Sequence, residues 1–294
     1  MKTSIKYLLL IAFVGLVGCS SPQDKRLNLI ANAWIGYSPL FYAKEQGWLA
    51  EHDIELATVV SLGESLHLYQ TADFDAFSGT QYEYQLAHEK NPNLFPIILF
   101  DRSDGGDMVM GNRSLAELKT LTQPVDVYLE INSVNTPVFQ DFVRQNGLGN
   151  LDFNYINTDQ LRMVSATDEA SNPTLAVTYI PYDSALKPNG FETLDSTADG
   201  LNLLVVDALY TTREDYLDHK PQFLALKTLI NRALEALRQD PESYYQQVKP
   251  YLESPSFDEF QASLNTIQWL NKDLSPELKQ RMNDMNFATG AALP

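Results

Sequence analysis

The chain has 294 residues, hydrophobic residues make up 44% of it, and its formal net charge is −17. That length can build one large domain or two medium ones, and so acidic a surface repels phosphate backbones, which excludes nucleic acid as a partner. The single cysteine, Cys19, excludes any disulfide within the chain.

The first element is a secretory signal. Lys2 and Lys6 supply a positive start, and Tyr7 to Val17 supply an apolar run. The run is too short to cross a bilayer as a helix, which takes about 20 apolar residues. It ends in Leu16-Val17-Gly18-Cys19, which resembles the bacterial lipobox. That resemblance implies a signal peptide over 1–18, a Cys19 that is acylated and becomes the mature N-terminus, and a lipidated leash over 19–26. Loss of Lys2 and Lys6 takes the mature chain from −17 to −19. Several acyl chains anchor a protein stably where one does not, so a membrane is an expected partner.

Beyond the leash, strand-like and helix-like segments alternate, the pattern of an α/β body. Leu27 to Ala33 reads as a strand. Ser38-Pro39 reads as a helix start, with Ser38 as N-cap and Pro39 in the first turn, and Gly47 as the stop. Strands follow at Ile54 to Val60, Phe74 to Phe77 and Pro96 to Phe100, with helices at Glu64 to Gln70 and Tyr82 to Glu89. Asp101 to Gly106 is turn-rich and reads as a crossing between lobes. Then come strand Met108 to Met110, helix Leu115 to Thr120, strand Val125 to Leu129, and a helix from Thr136-Pro137 to Gln145 that stops at Gly147. Asn154 to Asn157, Leu175 to Ile180 and Leu201 to Val206 read as short strands. Leu226, Leu229, Ile230, Ala233, Leu234 and Leu237 form one apolar stripe of a long helix. Helices at Glu242 to Lys249, Phe257 to Trp269 and Pro276 to Met285 complete the chain.

The segment Asn32 to Leu49 carries Trp34, Gly36, Ser38-Pro39-Leu40 and Gly47-Trp48-Leu49. It resembles the opening of type II periplasmic solute-binding proteins, and more narrowly the family of nitrate, sulfonate, taurine and thiamine-pyrimidine binding proteins of ABC transporters. Further matches keep the same order. Phe74-Asp75-Ala76 with Ser78-Gly79-Thr80 resembles the family's strand and ligand loop. Asp107 to Met110 followed by Leu115 to Lys119 resembles its domain-crossing strand and helix, and Ser133 its second-lobe ligand loop. Tyr179-Ile180-Pro181-Tyr182 resembles "W-E-P-Y", with Ile180 where the acid stands, and Asp218 to Pro221 precedes the long helix. The resemblance implies a two-lobe fold with a cleft between the lobes and C-terminal helices. Lobe 1 would span 27–104 and 207–294, and lobe 2 would span 105–206.

The resemblance further implies that Trp34, Gly36, Tyr37, Ser61, Ser78, Thr80, Glu130, Ser133, Tyr179, Tyr182 and Asp207 border the cleft. Tyr82 and Glu83 join them because they open the helix after the Ser78 loop. The aromatic residues suit a ring or a caged cation. Glu130 and Asp207 suit an amine or ring N–H, and few cations are present to hold a sulfonate or nitrate. The expected ligand is therefore an amine or a thiamine-precursor pyrimidine.

Catalysis is not expected. His52, His67, His88 and His219 are scattered, and no nucleophile elbow, phosphate loop or dinucleotide fingerprint occurs. Asp101, Asp104 and Asp107 recur at every third residue, which misses the alternating ligands of a calcium loop. No metal and no cofactor is expected. The expected role is a monomeric solute-binding lipoprotein that hands a small molecule to an ABC permease; the alternative is a lipoprotein read by a membrane sensor. It would face the periplasm or the cell exterior, and Ser20 after Cys19 leans towards the outer membrane.

Overall fold

The computed structural model describes residues 26–287 apart from 169, 272, 273 and 286. The signal peptide, Cys19 and nearly all of the leash lie outside the described residues. Among the described residues no helix is long and apolar enough to cross a membrane.

The chain opens with β1 (Leu27–Asn32), β2 (Ile54–Val59), β3 (Ala76–Thr80) and β4 (Leu94–Ser103), interleaved with α1 (Ser38–Glu45), α2 (Leu62–Thr71) and α3 (Gln81–Lys90). β5 (Asp107–Gly111), β6 (Val125–Leu129), β7 (Phe153–Asn157), β8 (Thr174–Tyr179) and β9 (Glu192–Ser196) follow, with α4 (Leu115–Leu118), α5 (Asn135–Asn146), α6 (Gln160–Thr167) and α7 (Asp183–Leu186). The chain then returns through β10 (Val206–Thr212), α8 (Arg213–Asp218), α9 (Lys220–Gln239), α10 (Pro241–Val248), α11 (Phe257–Ser263), β11 (Ile267–Trp269) and α12 (Pro276–Asp284).

These strands build two mixed sheets. One is six-stranded in the order β11-β4-β10-β3-β1-β2, and the other five-stranded in the order β7-β6-β8-β5-β9. Each sheet with its helices is a lobe. β1 is buried almost throughout because it lies between β2 and β3 with parallel pairing on both sides, the environment that calls for a continuous apolar run. β2 is an edge strand and alternates buried with exposed residues. In the six-stranded sheet β10 and the edge strand β11 run against the other strands, and in the five-stranded sheet β5 does.

Two crossings join the lobes, 104–106 and 197–205, and they are bonded to one another. Ser103 donates its N–H to the Val205 carbonyl, and the Ser103 and Thr197 hydroxyls meet at 2.7 Å. Gly105, with φ of 112°, donates to the Thr197 hydroxyl. Gln81 from the first lobe clamps Leu204 and Val206, while one Asp141 oxygen from the second accepts the N–H groups of Asn202 and Leu203.

Several expected elements fall elsewhere. Leu201 to Val205 forms no strand; it is the second crossing, and the strand begins at Val206. The helix expected over Phe257 to Trp269 stops at Ser263, since Ile267–Trp269 pairs with the edge of β4. Ser38 is not the N-cap of its helix: it lies inside the first turn, and its hydroxyl accepts a bond from Tyr244. Asp101 belongs to β4 instead of the turn that follows it. Gly147 ends α5 in the left-handed conformation, as its position indicates.

The apolar stripe of α9 is buried, and the helix packs on α1. Leu226 is fully buried, whereas Leu224 is 47% exposed. Leu226→Ala should lower unfolding free energy by about 2–5 kcal/mol in urea titration, and Leu224→Ala should change it by less than about 0.5 kcal/mol.

Candidate functional site

Strand ends from both sheets converge between the lobes. Asn32 ends β1, Thr80 ends β3 and caps α3, Leu62 opens α2, and Trp34 lies two residues past β1. The return strand adds Asp207, whose register sets it opposite Thr80 on one side and Asp101 on the other, beside a bulge. From the second lobe come Asp107 at the start of β5 and Tyr179 at the end of β8, directly paired. Asn32, Trp34, Leu62, Thr80, Asp107, Tyr179 and Asp207 together enclose a void of about 10 Å³, room for about one water-sized group.

An aromatic chain crosses the void. The Trp34 indole stands edge-on to Tyr179 at 6.0 Å between centroids, and Tyr179 edge-on to Tyr182 at 5.5 Å. The Trp34 N–H faces both Asp101 oxygens at 3.3 Å, and the Tyr37 hydroxyl donates to Asp207. Gly36 does not line the void, but a Cβ there would come within 1.7 Å of an Asp101 oxygen. Only a glycine lets the carboxylate lie against the chain.

The electrostatics of this region are one-sided. Glu83, Asp101, Asp107, Glu130 and Asp207 are all buried, and none of the ion pairs among the described residues reaches them. Burial, which disfavours the charged form, pushes each of these acids upward. Asp101 and Asp207 rise well above the usual carboxylate range, offset in part by the Trp34 and Tyr37 hydrogen bonds. Asp107 is raised to about 7 and Glu130 to about 8. Tyr37 and Tyr179 are raised by burial and by the neighbouring acids, so both hydroxyls stay neutral.

Buried polar atoms normally find partners. Here Asn32 Oδ1 and Nδ2, Ser78 Oγ, Asp107 Oδ2, Glu130 Oε1 and Tyr179 Oη have none within the described residues. Asn32 Oδ1 accepts, the two carboxyl oxygens accept when ionised, the Ser78 and Tyr179 hydroxyls can donate or accept, and Asn32 Nδ2 and the likewise unpartnered Asn135 Nδ2 donate.

Of the residues that sequence points to, Trp34, Thr80, Tyr179 and Asp207 line the void, and Tyr37 holds Asp207 from behind. Glu83, Glu130 and Tyr182 bridge the lobes. Glu83 accepts the Val134 N–H at 2.7 Å, Glu130 receives the Gly63 N–H at a long 3.5 Å, and Tyr182 donates to the Val60 carbonyl at 3.2 Å. Tyr82 is half-buried and its hydroxyl bonds Thr136 of the second lobe. Ser61 caps α2 through Glu64 N–H, and Ser133 braces its own loop by donating to the Glu130 carbonyl and accepting from Asn135 N–H. These two serve the backbone and not the void. Asn32, Leu62, Asp101 and Asp107 are not among the cleft residues expected from sequence. Asn32 is a polar residue closing an apolar run, which is the one local signal for it. Asp104, between the two aspartates, instead pairs with Arg102 at 2.8 Å on the surface.

A larger groove of about 350 Å³ lies on the outer side of the same boundary. Its floor is apolar, with Ile35, Met108, Ile180, Pro181 and Leu252, and its Lys187 is paired with Asp183 at 2.7 Å. Ile35 and Ile180 are the chain neighbours of Trp34 and Tyr179, so the two segments face the void with one residue and the groove with the next. The unpartnered atoms of Asn32, Asp107 and Tyr179 belong to the inner void, which makes it the candidate site despite its smaller volume, whereas Ser78 and Glu130 lie outside its lining.

Two mixed α/β lobes, two crossings and a polar site at the strand ends define the fold of the periplasmic binding proteins. No family profile and no curated protein matches the sequence. Among solved structures, the chain is similar to the alkanesulfonate-binding protein SsuA of Xanthomonas axonopodis pv. citri bound to MOPS, with a TM-score of 0.67 and 15% identity over 92% of this chain and 94% of that one. The aliphatic sulphonate-binding SsuA of Escherichia coli scores 0.66 at 14% identity over 89% and 86% of the two chains. The nitrate-binding protein NrtA of Synechocystis PCC 6803 scores 0.62 at 14% identity over 85% and 72%. These neighbours are binding proteins rather than enzymes, and they are the kind to which the order of motifs points.

The buried acids set a pH dependence. Asp107 and Glu130 keep protons in the folded chain at pH values where the unfolded chain, with carboxyls near 3.8 and 4.5, has released them. The folded state therefore binds more protons, and its stability falls as pH rises. The loss should run from about pH 4 to 7 for Asp107 and on to about 8 for Glu130. Each acid contributes at most roughly 1.4 kcal/mol per pH step of one within its window. Melting temperature followed from pH 5 to pH 8.5 should decline, and Asp107→Asn with Glu130→Gln should flatten that decline.

Proposed function

We propose that this protein captures a small amine or amine-bearing heterocycle, such as a thiamine-precursor pyrimidine, in the cleft between its lobes and delivers it to an ABC permease. The carrying observation is the unpartnered set around the void. Asp107, which gives up its proton beside a cation, and the Asn32 carbonyl offer acceptors to a cationic N–H group. The adjacent Asn32 NH₂ supplies the donor that an aminopyrimidine edge would also require. Trp34 and Tyr179 supply aromatic faces for a cation or ring. The structural neighbours are named for sulfonates and nitrate, but a sulfonate or nitrate beside Asp107 and Asp207 would meet no basic side chain among the lining residues to neutralise it.

In this reading the lobes, 27–104 with 207–294 and 105–206, part to admit the ligand and close over it. The residues that touch or frame it are Asn32, Trp34, Tyr37, Thr80, Asp107, Glu130, Tyr179 and Asp207. The chain works as a monomer without metal or cofactor. Leu16-Val17-Gly18-Cys19 supports a lipid anchor on Cys19, facing the periplasm or cell exterior. Ser20 favours a second reading, in which an outer-membrane lipoprotein presents its bound state to a membrane sensor.

Thermal unfolding of the mature chain against amines, aminopyrimidines, taurine, alkanesulfonates and nitrate tests the ligand class. An amine or aminopyrimidine at a hundred times its dissociation constant should stabilise by about 2.7 kcal/mol, a rise of several degrees. Asp107→Asn should weaken it by at least about ten-fold, the loss of one charge-assisted bond. Stabilisation by sulfonate or nitrate alone would overturn the proposal. For the anchor, Cys19→Ser should move the protein from the membrane fraction to the soluble fraction.

A further inference from the structure

Glu83 does two separate jobs with its two oxygens. It is the third residue of α3, and one oxygen, Oε2, accepts the Thr80 N–H at 2.9 Å and the Thr80 hydroxyl. Together with the Thr80 hydroxyl on the helix amides, that is a complete capping box inside the first lobe. The other oxygen, Oε1, crosses the boundary and accepts the N–H of Val134 at 2.7 Å. Val134 is the N-cap of the twelve-residue α5 in the second lobe, so the carboxylate sits at the positive end of a helix dipole. A capping box needs only the first job. The second joins two lobes through a fully buried charge.

The amides around Val134 show what this contact does. Glu130 N–H goes to Asn135 Oδ1, Ile131 N–H to Asn157 Oδ1, and Ser133 N–H to the Glu130 carbonyl. Asn135 N–H goes to Ser133 Oγ, and Thr136 N–H to the Ser133 carbonyl. Each of these is satisfied from within the second lobe. Val134 N–H alone among them is satisfied from the first lobe, and by an anion. A helix start with a free, buried amide is the ready place for an anionic ligand group; in this chain a carboxylate of its own occupies it.

We propose that Glu83 is the charge selector of the cleft: seated on the Val134 amide, its carboxylate takes the place of an anionic ligand and latches the lobes around a site left for a cation. This rests on the reading of the cleft as the ligand site, but its test does not need the cationic ligand. When the lobes part, the Glu83–Val134 bond breaks while the Thr80 capping box stays intact. The ligand-free protein is therefore held closed, and an anion meets a like charge where it would need a donor.

Glu83→Gln separates the two jobs. A glutamine has one acceptor oxygen, which the capping box retains, and its NH₂ is then turned towards Val134 N–H, donor against donor. The latch is lost, and two donors converge on a space that an anion can fill. Val134→Pro tests the same contact from the other side. The φ of Val134 is −54°, which proline adopts, and the change removes the donor without creating an anion site. Lobe separation is read in ligand-free protein from the distance between spin labels on cysteines introduced at Glu89 and Arg162, in a Cys19→Ser background. Anion binding is read by calorimetry with methanesulfonate at constant ionic strength, with chloride as the control. The expected result is a single short label distance in the parent and a longer one in both variants. Methanesulfonate should bind Glu83→Gln at least about ten-fold more tightly than the parent or Val134→Pro. A label distance unchanged in both variants, or a Glu83→Gln protein as indifferent to methanesulfonate as its parent, would overturn the proposal. Should the latch behave as expected while no amine or aminopyrimidine binds the parent, the proposed ligand class falls and the latch stands.

Discussion

The structure of the cleft depends on where β10 enters the first sheet. The chain leaves the first lobe after β4, builds the second, and comes back between β3 and β4 with antiparallel pairing on both sides. That register places Asp207 opposite both Thr80 and Asp101, and it draws the second crossing against the first through Ser103, Thr197 and Val205. A slip of one residue would turn Asp207 to the other face of the sheet. Tyr37 would lose its partner, and the Asp101–Asp207 pair would dissolve. The bulge after Asp207 is part of the same device, since bulges re-aim side chains at sheet edges and functional sites.

Once the acids are gathered, the rest of the site follows from the cost of burying charge. Isolated ionised groups in a protein interior are unfavourable and respond by shifting their titration or finding partners. Asp101 takes the Trp34 indole, Asp207 takes the Tyr37 hydroxyl, and Glu83 takes the Thr80 cap and the Val134 amide. Asp107 and Glu130 are left with one unpartnered oxygen each. The closed cleft thus has acids consumed by the architecture and one, Asp107, whose unpartnered oxygen belongs to a residue lining the void. Gly36 and Gly106 answer the same shortage of space, since a Cβ at either would strike Asp101 or the Trp34 ring.

The order of motifs along the chain carries the fold well, because each motif marks a local event that sequence alone can drive. Pro39 in the first helical turn, the Gly47 and Gly147 stops, and the buried β1 run are of this type. The elements that depart from expectation share a different origin. Leu201 to Val205 is apolar enough for a strand, yet Gln81 and Asp141 claim its backbone from the two lobes. Phe257 to Trp269 has helical content, but its last residues are taken by the free edge of β4. Ser38 has the chemistry of a cap and is used instead by Tyr244, 206 positions away. In each case a distant partner overrode the local preference.

By itself the sequence determined the α/β alternation, the two-lobe fold through its ordered motifs, the acidic balance, and the aromatic residues Trp34, Tyr179 and Tyr182 near the lobe boundary. The alternation and the charge are properties of single segments, fixed by periodicity, capping chemistry and composition; the two-lobe fold and the place of the aromatic residues are what the family resemblance of the ordered motifs implies. Only the tertiary structure decided that Asn32 and Asp107 line the void, that Asp101 holds the Trp34 indole and that Glu83 reaches across to Val134. It also decided that Ser61 and Ser133 serve their own backbone. Strand register and lobe closure set those facts, and both depend on pairing between segments far apart in the chain, which no local pattern encodes.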